Sequence, residues 1–241
     1  MSTLMAPLPD LRADTATPAA LLLRDVTKTY DGSHTVLDHV SLEVPRGTFA
    51  TVIGPTGSGK STLLHCAAGL DDPTGGTIHV GGQRISRLSE AKRTLLRQGR
   101  IGFVFQSYNL LPSLTIEENL TLPLRLAGAE TDRPWLRSLA ERTGIADRLH
   151  RRPSELTAAQ QQKAAIARAF AARPDVVFAD EPTGALDPDD AAEILDLLRD
   201  LVDAWGPAVV VVTQDPAAAS RAHATWALCE GRLRPVLTVV R

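Results

Sequence analysis

Apolar positions along this 241-residue chain follow two rhythms, short continuous runs bounded by turn residues and longer stretches with helical spacing. From Leu21 to Ile53 the first rhythm dominates: LLLRDVTKTY, a turn at Asp31 and Gly32, SLEVP, then the run TFATVI after Gly47. This pattern predicts a β-rich entry that leads into a buried strand. GGTIHVGGQRI reads as a hairpin pair, and IGFVFQ, VVFAD and AVVVVT read as strands. The second rhythm predicts a short helix in STLLHCAAGL that stops near Gly69, a helix over 160–171, and one over 188–205 in which Ile194, Leu198, Leu201 and Trp205 share a face. The charged stretch Glu90 to Arg100 reads as a solvated helix face. Alternating strands and helices imply an α/β fold with a largely parallel sheet. The middle of the chain, about residues 108–160, is helical in composition but interrupted by Pro112, Pro123 and Pro134, and is expected to form an inserted helical subdomain. Residues 1–20, rich in Pro, Ala and Asp, read as a flexible tail, which leaves 21–241 as one domain.

Composition narrows the partners. An apolar content of 44% suffices for a proper core, while 26 basic and 28 acidic residues, interspersed to a net charge of −2, give no basic face for nucleic acid. Apolar runs such as Val209 to Val212 fall far short of the roughly 18 residues that cross a bilayer, so membrane work is expected to pass through another chain. The first twenty residues lack the basic start and apolar stretch of a signal peptide. Two cysteines, Cys66 and Cys229, make no disulfide framework, which fits a reducing cytoplasm, and Cys66 reads as a small core residue. The six histidines are scattered without the spacing of a zinc site.

Two motifs carry chemistry. Gly54-Pro55-Thr56-Gly57-Ser58-Gly59-Lys60-Ser61-Thr62 satisfies the G-x-x-x-x-G-K-[ST] pattern between a predicted strand and a predicted helix. Its glycines let backbone N–H groups wrap phosphates, the helix N-terminus adds partial positive charge, Lys60 supplies a full charge, and Ser61 can place its hydroxyl on Mg²⁺. The competing reading, an incidental glycine-rich turn, does not account for the flanking elements. The second motif is the apolar strand that ends in Asp180 and Glu181. Asp180 suits Mg²⁺, and Glu181 is placed to orient the attacking water.

With these motifs the chain resembles the ABC ATPase family from Leu21 to about Arg232. The resemblance implies a P-loop NTPase (RecA-like) core with an N-terminal antiparallel β subdomain and an inserted α-helical subdomain. It implies ATP and Mg²⁺ as cofactors. Gln106 matches the Q-loop glutamine, which senses metal, water and permease, and Tyr30 matches the aromatic that stacks on adenine. Taken alone, Tyr30 reads as a partly buried packing residue. Leu156-Thr157-Ala158-Ala159-Gln160 resembles the signature that touches ATP held by an opposite subunit, and Asp187 resembles the D-loop aspartate. LTIEENLTLPLRLAG and RRPSEL are most similar to the macrolide-export, lipoprotein-releasing and cell-division branch. The family implies a homodimer or heterodimer of ATPase domains on the inner face of the cell membrane, driving a separate permease.

Two departures bear on mechanism. The family signature reads Leu-Ser-Gly-Gly-Gln, whereas Ala158 and Ala159 stand here in place of both glycines. Thr157 and Gln160 form a capping-box pattern, so the helix N-terminus should survive. If either glycine needs a positive φ, alanine costs about 1–2 kcal/mol there, and each added methyl also intrudes where phosphate must approach closely, so weakened ATP-driven dimer closure is expected; the alternative is that both alanines sit in helical geometry with room to spare. Gln214 stands where the family has a switch histidine; it can donate a hydrogen bond to a γ-phosphate but cannot take up a proton or carry positive charge, so slower hydrolysis is expected. The expected function is therefore a transport ATPase with reduced turnover, the alternative being a nucleotide-gated regulatory subunit with little hydrolysis.

Overall fold

The computed structural model describes residues 18–236. In chain order its elements are β1 (Leu21–Tyr30), β2 (His34–Val44), β3 (Phe49–Ile53), α1 (Lys60–Ala67), β4 (Gly75–Val80), β5 (Gln83–Arg84), α2 (Glu90–Arg100), β6 (Ile101–Phe105), α3 (Ile116–Leu126), α4 (Arg133–Arg142), α5 (Ala158–Phe170), β7 (Val176–Asp180), α6 (Pro188–Trp205), β8 (Ala208–Thr213), α7 (Pro216–Arg221), β9 (Ala224–Cys229) and β10 (Arg232–Val236). Short 3₁₀ turns lie at Ala146–Arg148 and Pro153–Glu155. Most of the expected tail lies outside the described residues. Its last residue, Ala20, is buried, and its carbonyl accepts from the Gly81 N–H at 2.9 Å.

Two sheets result. One is antiparallel, in the order β2-β1-β4-β5; the other runs β10-β9-β3-β8-β7-β6, with β9 through β6 parallel and β10 antiparallel at its edge. The β1–β2 turn places Asp31 at φ 52° and Gly32 at 71°, the paired left-handed conformations that suit a tight hairpin. The central strands read as unbroken apolar runs because both faces are covered. Val176, Phe178, Val210 and Val212 pack with Leu21, Val40 and Leu64 on one face, while Val177, Ala179, Val209 and Val211 pack with Leu120, Ile166 and Leu198 on the other. Full burial of each large side chain contributes about 1.5–3 kcal/mol, so the sheet is a rigid platform.

The inserted helices differ from the expected pattern in two places. Pro123 does not break a helix but lies inside α3. A proline there forfeits a backbone bond, a cost of about 3 kcal/mol, which buried Ile116, Leu120 and Leu124 and a Thr115–Glu118 capping box offset. Pro134 sits in the first turn of α4, where no N–H is needed, behind an Asp132 cap that accepts from the Trp135 N–H at 3.0 Å. The expected boundary at residue 160 also falls within α5, whose buried Ile166 and Phe170 belong to the same core as Val104 of β6. That helix therefore joins the insert to the core. Helix α7 and strands β9 and β10 were not anticipated from the sequence pattern.

Candidate active site

Strands β3, β8, β7 and β6 are neighbours, and their C-terminal ends deliver Gly54, Gln214, Glu181 and Gln106 to one edge of the parallel sheet. That edge is where open α/β sheets bind ligands. Beyond β3 the chain wraps through Gly57 at φ 79° and Gly59 at φ 101°, then enters α1 at Lys60. A side chain at Gly59 would meet the Val36 carbonyl at 2.9 Å, and one at Gly54 would meet the Leu228 carbonyl at 2.4 Å. Lys60 is nearly buried, and its ammonium donates to the carbonyls of Gly54 at 2.7 Å and Pro55 at 3.0 Å. The buried Ser58 hydroxyl finds no partner among the described residues. The first turn of α1 holds no acidic residue of its own, so its free N–H groups add positive potential there.

Asp180 ends β7 beside Ser61. Burial, and then the charge of Glu181, push its carboxyl above the usual carboxylate range, while Ser61, His65 and Lys60 pull the other way. A desolvated carboxylate beside a second carboxylate and a hydroxyl is a hard oxygen set that gains from a divalent cation, so these residues fit Mg²⁺.

Glu181 adopts φ 44°, a left-handed conformation that costs a non-glycine residue about 1–3 kcal/mol. Neighbouring strands hold it there. Its N–H donates to the Val212 carbonyl at 2.9 Å, and its Oε2 accepts from the Thr213 hydroxyl at 2.7 Å and from the Gln214 N–H at 3.2 Å. Gln214 in turn reaches the phosphate loop, its Oε1 accepting from the Thr56 hydroxyl at 3.2 Å. One hydrogen-bonded chain thus joins Glu181, Gln214 and Thr56. Thr213 and the fully buried Gln162, whose amide donates to the Pro182 carbonyl at 2.6 Å, are site residues that sequence reasoning missed.

Gln106 follows Phe105, the register partner of Asp180, and its side chain packs on Gly184, where a Cβ would stand 2.7 Å from Nε2. The next turn holds Tyr108 and Asn109 at φ 60° and 50°, and Arg168 of α5 donates to both their carbonyls. Tyr30 is 38% exposed, with its hydroxyl on Asp71 at 2.9 Å and the Lys28 ammonium 4.7 Å from its ring centre. Cys66 is buried, and desolvation pushes its thiol up to about 12, which fits a packing role.

The signature-like segment lies apart from these groups: among the described residues no hydrogen bond links 156–160 to 54–62. Thr157 caps α5, its hydroxyl accepting from the Gln160 N–H at 3.3 Å while Gln160 Oε1 accepts from the Thr157 N–H at 3.1 Å. Ala158 and Ala159 occupy the first turn of α5 and neither has a positive φ. The backbone penalty considered from the sequence therefore does not arise. Ala158 is exposed and Ala159 buried. Asp187 caps α6 by accepting from the Asp190 N–H at 2.9 Å.

Comparison with known proteins gives the family of the chain. Residues 37–184 match the family model described as ABC transporter. The chain is 39% identical to the lipoprotein-releasing system ATP-binding protein LolD 1 of Rhodospirillum rubrum, over 89% of this chain and 97% of that one. It is 38% identical to the macrolide export ATP-binding/permease protein MacB of Hyphomonas neptunium, over 90% of this chain but 34% of that longer protein. The dimeric post-hydrolysis structure of the ATP-binding cassette MJ0796, bound to ADP and Pi, superposes with a TM-score of 0.78 at 36% identity, covering 90% of this chain and 97% of that one. Among the described residues no helix is long and apolar enough to cross a membrane. The chain belongs to the ABC transporter family and is one of its ATP-binding subunits, on the side of the lipoprotein-releasing and macrolide-export branches.

Proposed function

We propose that this chain binds Mg-ATP at the Gly54–Thr62 loop and hydrolyses it slowly within a dimer that drives a separate permease. The observation that carries the reading is the hydrogen-bonded chain from Glu181 through Gln214 to Thr56 at the ends of three adjacent parallel strands. Tyr30 offers adenine the ring face not covered by Lys28. Gly57, Gly59 and the N-terminus of α1 cradle the phosphates, and Lys60 exchanges its two carbonyl partners for phosphate oxygens. Ser61, Asp180 and Gln106 are the residues that would hold Mg²⁺, which neutralises charge on the phosphates when bound.

Glu181 orients a water toward the terminal phosphorus; the new P–O bond forms as the bond to ADP breaks, and the proton leaves through the carboxylate. Gln214 contributes a neutral amide to the developing charge. A neutral amide stabilises that charge less than a charged imidazolium does, and a weakened transition-state contact of this kind is worth about tenfold or more in rate. Leu156–Gln160 of one subunit meets ATP held by the other, through the capped start of α5, and Asp187 accompanies it at the dimer face.

A groove of about 410 Å³ between α2, β6 and α3 is lined by Leu70, Phe103, Phe105, Leu122 and Leu126 beside Arg168, with Leu70 and Leu126 largely exposed. It suits an apolar helix of a membrane partner, which would hold the chain at the inner face of the membrane. MacB, which carries ATP-binding and permease functions in one protein, supports such a pairing. The test is Mg-ATP turnover: Glu181→Gln is expected to lower kcat by about 100-fold while ATP still binds. Absence of Mg-ATP turnover in the native chain refutes the hydrolytic reading, and turnover unaffected by Glu181→Gln refutes the role given to Glu181.

A further inference from the structure

Resting on that hydrolytic reading, we infer that Thr213 is a positioning residue that fixes which oxygen of Glu181 faces the attacking water. Thr213 is the last residue of β8 and is only 1% exposed, yet it interrupts a run of valines, Val209 to Val212, with a hydroxyl. In the β7–β8 register Asp180 lies opposite Val212, so Glu181 emerges beside Thr213. The Thr213 hydroxyl accepts from the Asp215 N–H at 3.0 Å and lies 2.7 Å from Glu181 Oε2. A hydroxyl has a single proton, and with the backbone N–H directed at its oxygen, that proton goes to the carboxylate.

The Gln214 N–H donates to the same Oε2 at 3.2 Å, whereas Oε1 accepts no hydrogen bond among the described residues. One carboxylate oxygen is therefore engaged twice and the other is left for water. Without the hydroxyl, a side chain with three rotatable bonds keeps only the longer contact to the Gln214 N–H. The left-handed backbone at Glu181 sets where the side chain starts, and Thr213 sets where it ends.

The experiment compares kcat and KM for Mg-ATP in the full chain and in Thr213→Val, Thr213→Ser and Glu181→Gln. Valine copies the shape of threonine and continues the apolar strand but leaves the Asp215 N–H without this acceptor, so melting temperature is measured as the control for the fold. Thr213→Val is expected to lower kcat about tenfold with KM within about twofold, and Thr213→Ser to stay within about threefold of the native rate. In the Glu181→Gln background, Thr213→Val is expected to have no further effect. Native kcat in Thr213→Val, equal loss in the Ser and Val variants, or a loss confined to KM overturns the positioning role. Turnover that depends on Glu181 but not on Thr213 overturns this inference alone; turnover independent of Glu181 overturns the role of that carboxylate with it, and no turnover in the native chain overturns the ATPase reading.

Discussion

The phosphate loop and the signature-like segment both present backbone N–H groups at the start of a helix, but they are built differently. Around Gly54–Thr62 the path depends on backbone conformations and close approaches that a side chain forbids, as Gly59 shows with φ 101° and a Val36 carbonyl that would stand 2.9 Å from any Cβ there. At Leu156–Gln160 the path is set by side chains, the Thr157–Gln160 capping box, and the positions occupied by glycine in the family are ordinary helix here. A glycine in a family motif is thus a constraint only where φ or space demands it. The first segment loses its shape when its glycines change; the second keeps its helix start with alanine at both positions.

The comparison breaks most sharply at Lys60. Lys60→Ala is expected to weaken ATP affinity by about 100-fold or more in a direct titration, since the loop loses its one full positive charge. Gly59→Ala is expected to cost about 2–3 kcal/mol and to lower Tm by roughly 5–10 °C in a calorimetric scan, with ATP binding lost as the loop shifts. Thr157→Ala tests the other segment; loss of the cap costs about 1 kcal/mol, or roughly 2–4 °C, without loss of ATP affinity.

The smallest effect concerns charge. Because the folded protein raises the Asp180 carboxyl above its unfolded value, ionisation of that group costs stability as pH rises through this range. Nucleotide-free Asp180→Asn is therefore expected to melt on the order of 2 °C higher than the native chain near pH 7, and the difference is expected to vanish near pH 3, where both forms are neutral.

Much of this was legible in the sequence because local and global signals agree. The helix Pro188–Trp205 and the strands Val176–Asp180 and Ala208–Thr213 match their expected bounds, since turn residues and apolar runs bracket them closely. Ala224–Cys229 escaped notice because its residues lack a clean period, and it is a strand through its pairing with β3 on one side and β10 on the other. Pro123 misled because its cost is local, while the packing that offsets it is tertiary. Thr213 and Gln162 carry no motif, and their roles arise only when β8 and α5 are brought against the turn at Glu181 and Pro182.

The central claim is that the altered signature leaves the site intact while Gln214 slows the chemistry. Mg-ATP turnover and affinity of the native chain, measured beside Gln214→His and beside Ala158→Gly with Ala159→Gly, test it most directly. The account predicts similar ATP affinity throughout, about a tenfold rise in kcat with histidine, and less than about a threefold change with the glycine pair. A large gain from the glycines with none from histidine would contradict it.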